Sequence, residues 1–247
     1  MNELSLFTGA GGGLLASKLL GWKTVGYVEY EDYCQRVIRA RINDGYLDEA
    51  PIFGDIRTFI SDGYADAYQG VVDVVSAGFP CQPFSSAGKQ KGESDERNMW
   101  PATIDVIRKV RPRFAFLENV PGLLTFEYMG TILADLAAAG MDAKWTVLGA
   151  GDIGECHSRE RLWIVASHAN SEREMAGLFG TICNEGKGTQ LRQFARAIRK
   201  GVPAIAYSGT LRNIDELAGW VDRHKAIGNG QHARVAATAW RLLNVST

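Results

Sequence analysis

Residues 4–29, LSLFTGAGGGLLASKLLGWKTVGYVE, decide the fold. An apolar run at 4–7 enters TGAGGG, a helical pattern covers 12–20, and a second strand-like run, 24–29, ends on an acid. Glycines in such a turn let the backbone fold back tightly and bring its N–H groups close to a ligand at the following helix N-terminus. Glu29 stands 18 residues past Gly11. A nucleotide-binding α/β unit sets there the carboxylate that accepts ribose hydroxyls. The spacing points to an adenosine-containing cofactor, although a glycine-rich turn followed by an exposed acid would read the same way. Asp55, in FGDI near the end of a third unit, is placed to hydrogen-bond an adenine amino group.

Working outward, strand-like runs recur at 71–77, 114–118, 145–148 and 162–167, with helical patterns at 32–41, 100–109 and 129–139. Strands alternating with helices predict an α/β sheet, largely parallel, with helices on both faces and ligands outside the carboxyl ends of its strands. After Ser167 the texture changes to Gly-, Ser- and Thr-rich sequence with one basic helix candidate at 190–200, and helical periodicity returns over 215–243 around a GNG turn. The expected organisation is a cofactor-binding catalytic part over 1–168, a short insert over 169–212, and a segment over 213–247 that returns to the catalytic part.

The chain has 247 residues, 46% apolar and 22% charged, a globular composition that excludes disorder and fibrous repeats. No apolar run approaches the roughly 20 residues of a membrane span, and no basic-then-apolar leader opens it, so the cytoplasm is the expected compartment. Cys34, Cys81, Cys156 and Cys183 are scattered without a CxxC pair, which argues against a disulfide framework and a zinc site. The net charge is −1 but unevenly spread: residues 1–150 carry 14 Lys and Arg against 19 Asp and Glu, residues 151–247 carry 13 against 9. Positive charge therefore gathers in the C-terminal part.

Three further clusters carry chemistry. The run VVDVVSAGF ends at Pro80-Cys81-Gln82-Pro83-Phe84-Ser85-Ser86. Prolines on both sides stiffen the backbone and hold the sulfur in place at the ligand edge of the sheet. A buried structural cysteine is the commoner fate of a lone thiol, but Gln82, Ser85 and Ser86 make burial uncomfortable here. The other three cysteines lack such a setting and are read as structural. Residues 114–117 deliver Glu118-Asn119-Val120, again at a strand end; a carboxyl there can bind or protonate a heterocyclic nitrogen if burial raises its pKa. Arg159 and Arg161, in HSRERLWIVAS, alternate along an extended segment and share one face, which suits a carboxylate, a phosphate or a base oxygen, or else a solvated cluster with Glu160.

In this order, the pieces resemble the cytosine-carbon-5 DNA methyltransferase family. FTGAGGG is similar to its cofactor loop, GFPCQPFS to its catalytic loop, LENV to its acid motif, HSRERLWIVA to its paired-arginine motif and KAIGNG to its last cofactor motif. The resemblance covers residues 3–168 and again about 220–243. It implies a Rossmann-like sheet that binds S-adenosylmethionine and takes up a cytosine flipped out of double-stranded DNA, as in restriction-modification systems. It also implies that Cys81 attacks ring carbon 6 while Glu118 contacts ring nitrogen 3, with Arg159 and Arg161 near the base. Phe7, Gly9, Gly11, Glu29, Asp55, Pro80 and Asn229 match cofactor-side positions, and Tyr30 can lie against the adenine. Gln82 and Ser85 are assigned to the DNA side of the catalytic loop. No metal is implied.

The chain departs from the family's pattern in three places. His157 stands where many members carry Gln; the stretch before the last motif, LRNIDELAGWVDRHKAIGNG, is hardly recognisable; and only about 45 residues, 168–212, remain for target recognition. Within them Arg192, Arg196 and Arg199 fall on one helical face, with Lys200 beside it, as a phosphate-facing stripe or a solvated basic face. A short or relaxed DNA specificity is expected. The competing readings are a cytosine methyltransferase acting on RNA, a catalytically silent DNA-binding subunit that needs a partner protein, and a nicotinamide-dependent dehydrogenase, in which PCQP would have no role.

Overall fold

The computed structural model describes residues 1–80, 98–125, 128–155, 159–168 and 230–244. Among these, seven strands form one sheet: β1 (Asn2–Leu6), β2 (Lys23–Val28), β3 (Ile52–Phe53), β4 (Val74–Ala77), β5 (Phe114–Asn119), β6 (Asp142–Leu148) and β7 (Arg161–Ser167). Their order is β3-β2-β1-β4-β5-β7-β6. β1 to β5 run parallel, while β7 is antiparallel to both β5 and β6. The order reverses direction between β1 and β4, which opens a crevice at their carboxyl ends.

The helices are α1 (Gly12–Leu19), α2 (Asp32–Asn43), α3 (Ile56–Ser61), α4 (Tyr64–Ala67), α5 (Trp100–Val110), α6 (Tyr128–Ala138) and α7 (Ala233–Asn244). Side-chain alternation along the strands divides them between two faces. Leu4, Leu6, Val75, Ala77, Ala115 and Leu117 pack with Phe59, Ala65, Ile107 and Ile132 of α3 to α6. On the other face Val74, Phe114, Phe116 and Trp163 meet Ala16 of α1 and Val235, Ala236 and Trp240 of α7. Trp240 sits with its ring centroid 4.7 Å from Trp22 and 5.4 Å from both Phe114 and Phe116, so α7 packs on the aromatic face of β5 beside α1. Tyr27 and Ile38 join Leu14 in a smaller cluster under α2.

The α/β class, the largely parallel sheet and the helices on both faces agree with the sequence reading. Two strand boundaries and three short elements differ from it for physical reasons, and β6 starts three residues earlier, at Asp142. β1 ends at Leu6 because Phe7 takes a left-handed φ of 52° and starts the turn. The run 71–77 contributes only Val74–Ala77, since the N–H groups of Val71 and Val72 both donate to the Tyr68 carbonyl in a preceding turn. β3, α3 and α4 are too short to leave a periodic signal. Among the described residues no helix is long and apolar enough to cross a membrane. The expected insert over 169–212 lies outside the described residues.

Candidate active site

The turn between β1 and α1 carries three consecutive features with left-handed backbone: Phe7 (φ 52°), Gly9 (φ 58°) and Gly11 (φ 93°), the last capping α1. A Cβ on Gly9 would meet nothing within 4 Å, so the chain there borders open space. The neighbouring strand end is tied to it. Glu29 accepts the Gly9 N–H at 2.5 Å through Oε2 and the Glu31 N–H at 2.8 Å through Oε1. A carboxylate has about four acceptor sites, so each oxygen keeps capacity for a ligand hydroxyl. Burial raises the Glu29 pKa, and the Glu31 and Gly9 amides oppose that rise. Tyr30, next in the chain, is 75% exposed. Asp55 is the N-cap of α3, its Oδ1 accepting the Arg57 N–H at 2.8 Å.

A second group assembles where β4, β5 and β7 meet. Glu118 lies near the end of β5, and Arg161 opens β7; their antiparallel register brings the end of one to the start of the other. Arg161 Nε stands 2.8 Å from Glu118 Oε1. Arg159 adds a second positive charge nearby and donates through Nη2 to the Gly230 carbonyl at 3.1 Å; its buried Nε has no partner among the described residues. Desolvation raises the pKa of Glu118, and the attraction of Arg161 and then Arg159 works against it without reversing it. Burial likewise lowers the pKa of Arg159, helped by repulsion from Arg161. Asn119 is buried, and its Nδ2 donates to the Phe79 carbonyl at 3.3 Å, which ties the end of β5 to the chain leaving β4. That chain reaches Pro80, one residue before Cys81.

Phe7 and Gly9 of the first group and Glu118 of the second line one cleft, together with Gly78 and Gln231. Glu29, Tyr30 and Asp55 do not line it; they stand along the carboxyl ends of β2 and β3. An amide-tied acid, an exposed aromatic ring and a glycine turn bordering open space are the donor set and shape that a nucleoside-bearing cofactor requires, so the residues present fit S-adenosylmethionine.

A family profile for C-5 cytosine-specific DNA methylases matches residues 1–236. The chain belongs to that family. The chain is 36% identical over 167 residues to the type II methyltransferase M.NgoMIV of Neisseria gonorrhoeae, covering 66% of the chain and 51% of that protein. It is 29% identical over 238 residues to the type II methyltransferase M.HpaII of Haemophilus parainfluenzae, covering 92% of the chain and 61% of that protein. The chain thus spans about half the length of the first of these relatives and somewhat more of the second. In fold it resembles a putative DNA modification methyltransferase encoded within a prophage of E. coli (TM-score 0.55, 22% identity, 69% of this chain and 47% of that one). It also resembles the S. pombe Dnmt2 methyltransferase (TM-score 0.54, 19% identity, 75% of this chain and 57% of that one).

Of the residues singled out from the sequence, the fold brings Glu118, Arg159 and Arg161 together at one point, and Phe7, Gly9, Gly11 and Glu29 at another. Pro80 leads from β4 toward the first of these. Cys81, Gln82, Ser85, His157, Arg192, Arg196, Arg199 and Asn229 lie outside the described residues. Sequence reasoning passed over Asn119 and Gln231. Asn119 was visible as the polar residue inside ENV, and Gln231 as the polar residue directly after GNG.

Proposed function

We propose that this chain is a DNA cytosine-5 methyltransferase that uses S-adenosylmethionine and a covalent adduct of Cys81. The observation that carries the reading is Glu118, a buried carboxyl with a raised pKa, held by Arg161 beside the strand exit that leads to Cys81. S-adenosylmethionine, when bound, supplies an electrophilic methyl group. Glu29 would bind its ribose hydroxyls through the free acceptor positions, Tyr30 would cover the adenine, Asp55 would offer Oδ2 to the adenine amino group, and the turn from Phe7 to Gly11, with Pro80 and Asn229, would enclose the rest.

The substrate cytosine must leave the duplex before any side chain reaches it, at a cost of a few kcal/mol. The Cys81 thiolate adds to carbon 6, and Glu118 gives a proton or hydrogen bond to ring nitrogen 3, which absorbs the negative charge that the addition produces. The electron pair so released makes carbon 5 nucleophilic toward the methyl group. Carbon 5 would take the methyl group, with the electron pair of the broken bond left on the cofactor's sulfonium sulfur. A base then takes the carbon-5 proton, the carbon 6–sulfur bond breaks to return Cys81, and a proton given to ring nitrogen 3 goes back to Glu118. Glu118 suits its role because burial keeps its proton available nearer neutrality than an exposed carboxyl would, and Arg161 keeps the group aimed. Gln82 and Ser85 are assigned to the DNA side of this loop. Arg192, Arg196 and Arg199 are assigned to phosphates, within a recognition region over 169–212 short enough to imply relaxed specificity.

The test is methyl transfer from labelled S-adenosylmethionine to unmethylated duplex DNA, with structured RNA and Cys81→Ala protein in parallel, followed by base-resolution mapping. Label at DNA cytosines that disappears with Cys81→Ala is the expected result. Label confined to RNA would move the substrate class, and cofactor binding with no transfer would point to a subunit that needs a partner.

A further inference from the structure

Gln231 sits in a socket made of three glycines. A Cβ at Gly12 would stand 2.6 Å from the Gln231 carbonyl oxygen, one at Gly13 would stand 2.7 Å from Gln231 Oε1, and one at Gly78 would stand 2.9 Å from Gln231 Nε2. Real Cβ atoms essentially never approach so closely: at Gly12 the obstacle is the Gln231 backbone, and at Gly13 and Gly78 a side chain would displace the Gln231 amide from its seat. Glycine at 12 and 13 is not required by left-handed backbone, since neither has a positive φ. The close approach explains them instead.

The seated amide spans two elements. Its oxygen faces the first turn of α1, where helix N–H groups have no intrahelical acceptor and the dipole is positive. Its nitrogen faces Glu118: the same Cβ on Gly78 that would crowd Nε2 would lie 3.1 Å from Glu118 Oε2. The Gln231 amide and the Glu118 carboxyl therefore flank the same bare glycine, and the Gln231 side chain opposes the rise in the Glu118 pKa as a hydrogen-bond donor would. An ionised carboxylate only accepts, so the amide nitrogen donates. Among the described residues, the groups that face Glu118 are then Arg161 on Oε1, Arg159 as a nearby charge and Gln231.

We infer that Gln231 is a positioning residue for Glu118: anchored in the Gly12–Gly13–Gly78 socket, its amide holds the second carboxyl oxygen, so that the acid is clamped between the start of α7 and the start of β7. Arg161 alone would leave the carboxyl free to rotate about its last torsion. The second contact, from the opposite side, fixes that angle and leaves a single direction for the proton. It also makes the acid's geometry depend on residues 230–244 returning to the sheet, so the reactive centre is complete only when the C-terminal helix has docked. The inference rests on the proposed role of Glu118 for its catalytic consequence, but the contact itself can be tested without activity.

The primary measurement is the pH titration of the Glu118 carboxyl by carbon-13 NMR on glutamate-labelled full chain, assigned by loss of the signal in Glu118→Gln. A donor to the carboxylate favours the charged form. Gln231→Leu, which keeps length but removes the donor, should therefore titrate Glu118 at higher pH, and Gly13→Ala, which pushes on the amide oxygen, should move it the same way. In Gln231→Leu protein, adding Gly13→Ala should have no further effect. In parallel, the single-turnover methyl-transfer rate of Gln231→Leu should fall by about 10-fold or more, the equivalent of one charge-assisted hydrogen bond. Its S-adenosylmethionine affinity by equilibrium dialysis should stay within about twofold. An unchanged Glu118 titration in Gln231→Leu overturns the inference, whatever the rates do. So does a fall in rate matched by an equal fall in cofactor affinity. Failure of the wild-type chain to transfer methyl groups would instead overturn the proposed function and leave the titration result standing.

Discussion

Glu118 shows how three modest effects make one useful acid. Burial alone would leave an isolated carboxyl neutral at all working pH values, and full pairing with two arginines would leave it permanently ionised. The balance found here keeps the pKa raised while Arg161 Nε fixes one oxygen at 2.8 Å. Arg161→Ala should therefore lower the single-turnover rate by about 30-fold, about 2 kcal/mol for a lost hydrogen bond to a charged group. Arg161→Lys should not restore it, because a lysine ammonium cannot reproduce the planar Nε geometry. Rates within threefold of wild type in both variants would show that Arg161 serves only packing. At this scale much was legible beforehand: Glu118, Arg159 and Arg161 could be picked from motif order. Gln231 could be seen only as a polar residue after GNG; its place beside Glu118 could not, since that depends on glycines more than 150 residues away in the chain.

At the scale of the element, β1 carries an anomaly that its hydrophobic pattern hides. Glu3 is buried on the α1 side of the sheet, where its carboxyl accepts Ser76 Oγ at 2.6 Å and Thr24 Oγ1 at 2.9 Å. Ser17 of α1 also hydrogen-bonds to it, and Asp48 adds a like charge nearby. Desolvation dominates and raises its pKa above the ordinary 4.5. The native state then binds the proton more tightly than the unfolded chain, so this contribution to stability is complete below the unfolded pKa and is lost as pH rises through the folded one. Glu3→Gln should remove that loss. In urea unfolding between about pH 5 and 8, the wild type should weaken with rising pH more steeply than the variant, by the slope of one proton at most. Parallel stability curves would mean that Glu3 is ionised in the native state. The sequence offered no sign of this, because a single acid near the start of a strand reads as an exposed first residue until the partner strands are known.

For the molecule as a whole, the described residues 1–80, 98–125 and 128–155 form an acidic scaffold, whereas the positive excess lies in residues 151–247. If affinity for duplex DNA comes from phosphate neutralisation by that C-terminal part, the logarithm of the binding constant should fall linearly with the logarithm of salt, by about 0.9 for each phosphate neutralised. Replacing Arg192, Arg196 and Arg199 together by Ala should then reduce the slope by about 2.7. An unchanged slope would return that stripe to an ordinary solvated face. Fluorescence anisotropy on mixed-sequence duplexes at several salt concentrations makes the comparison, with Cys81→Ala protein used to prevent turnover.

What the sequence alone determined is local: an apolar run into TGAGGG into a helix specifies a strand–turn–helix unit, because glycine and hydrophobic periodicity act within a few residues. The parallel sheet and the place of Glu29 just past the end of β2 followed from repeating that unit. The tertiary structure decided where the arginines stand. Arg159 precedes its strand and Arg161 opens it, and in a parallel sheet residues at the start of a strand lie at the edge opposite the ligands. β7 alone runs backwards among the described strands, and this reversal carries both arginines to the carboxyl edge beside Glu118. Strand direction is set by how a chain returns through space, with β6 and β7 paired over seven residues each and α7 packed across them. That long-range pairing leaves no periodic trace in the residues it moves, and so the reactive centre is assembled by topology from motifs that each element carries separately.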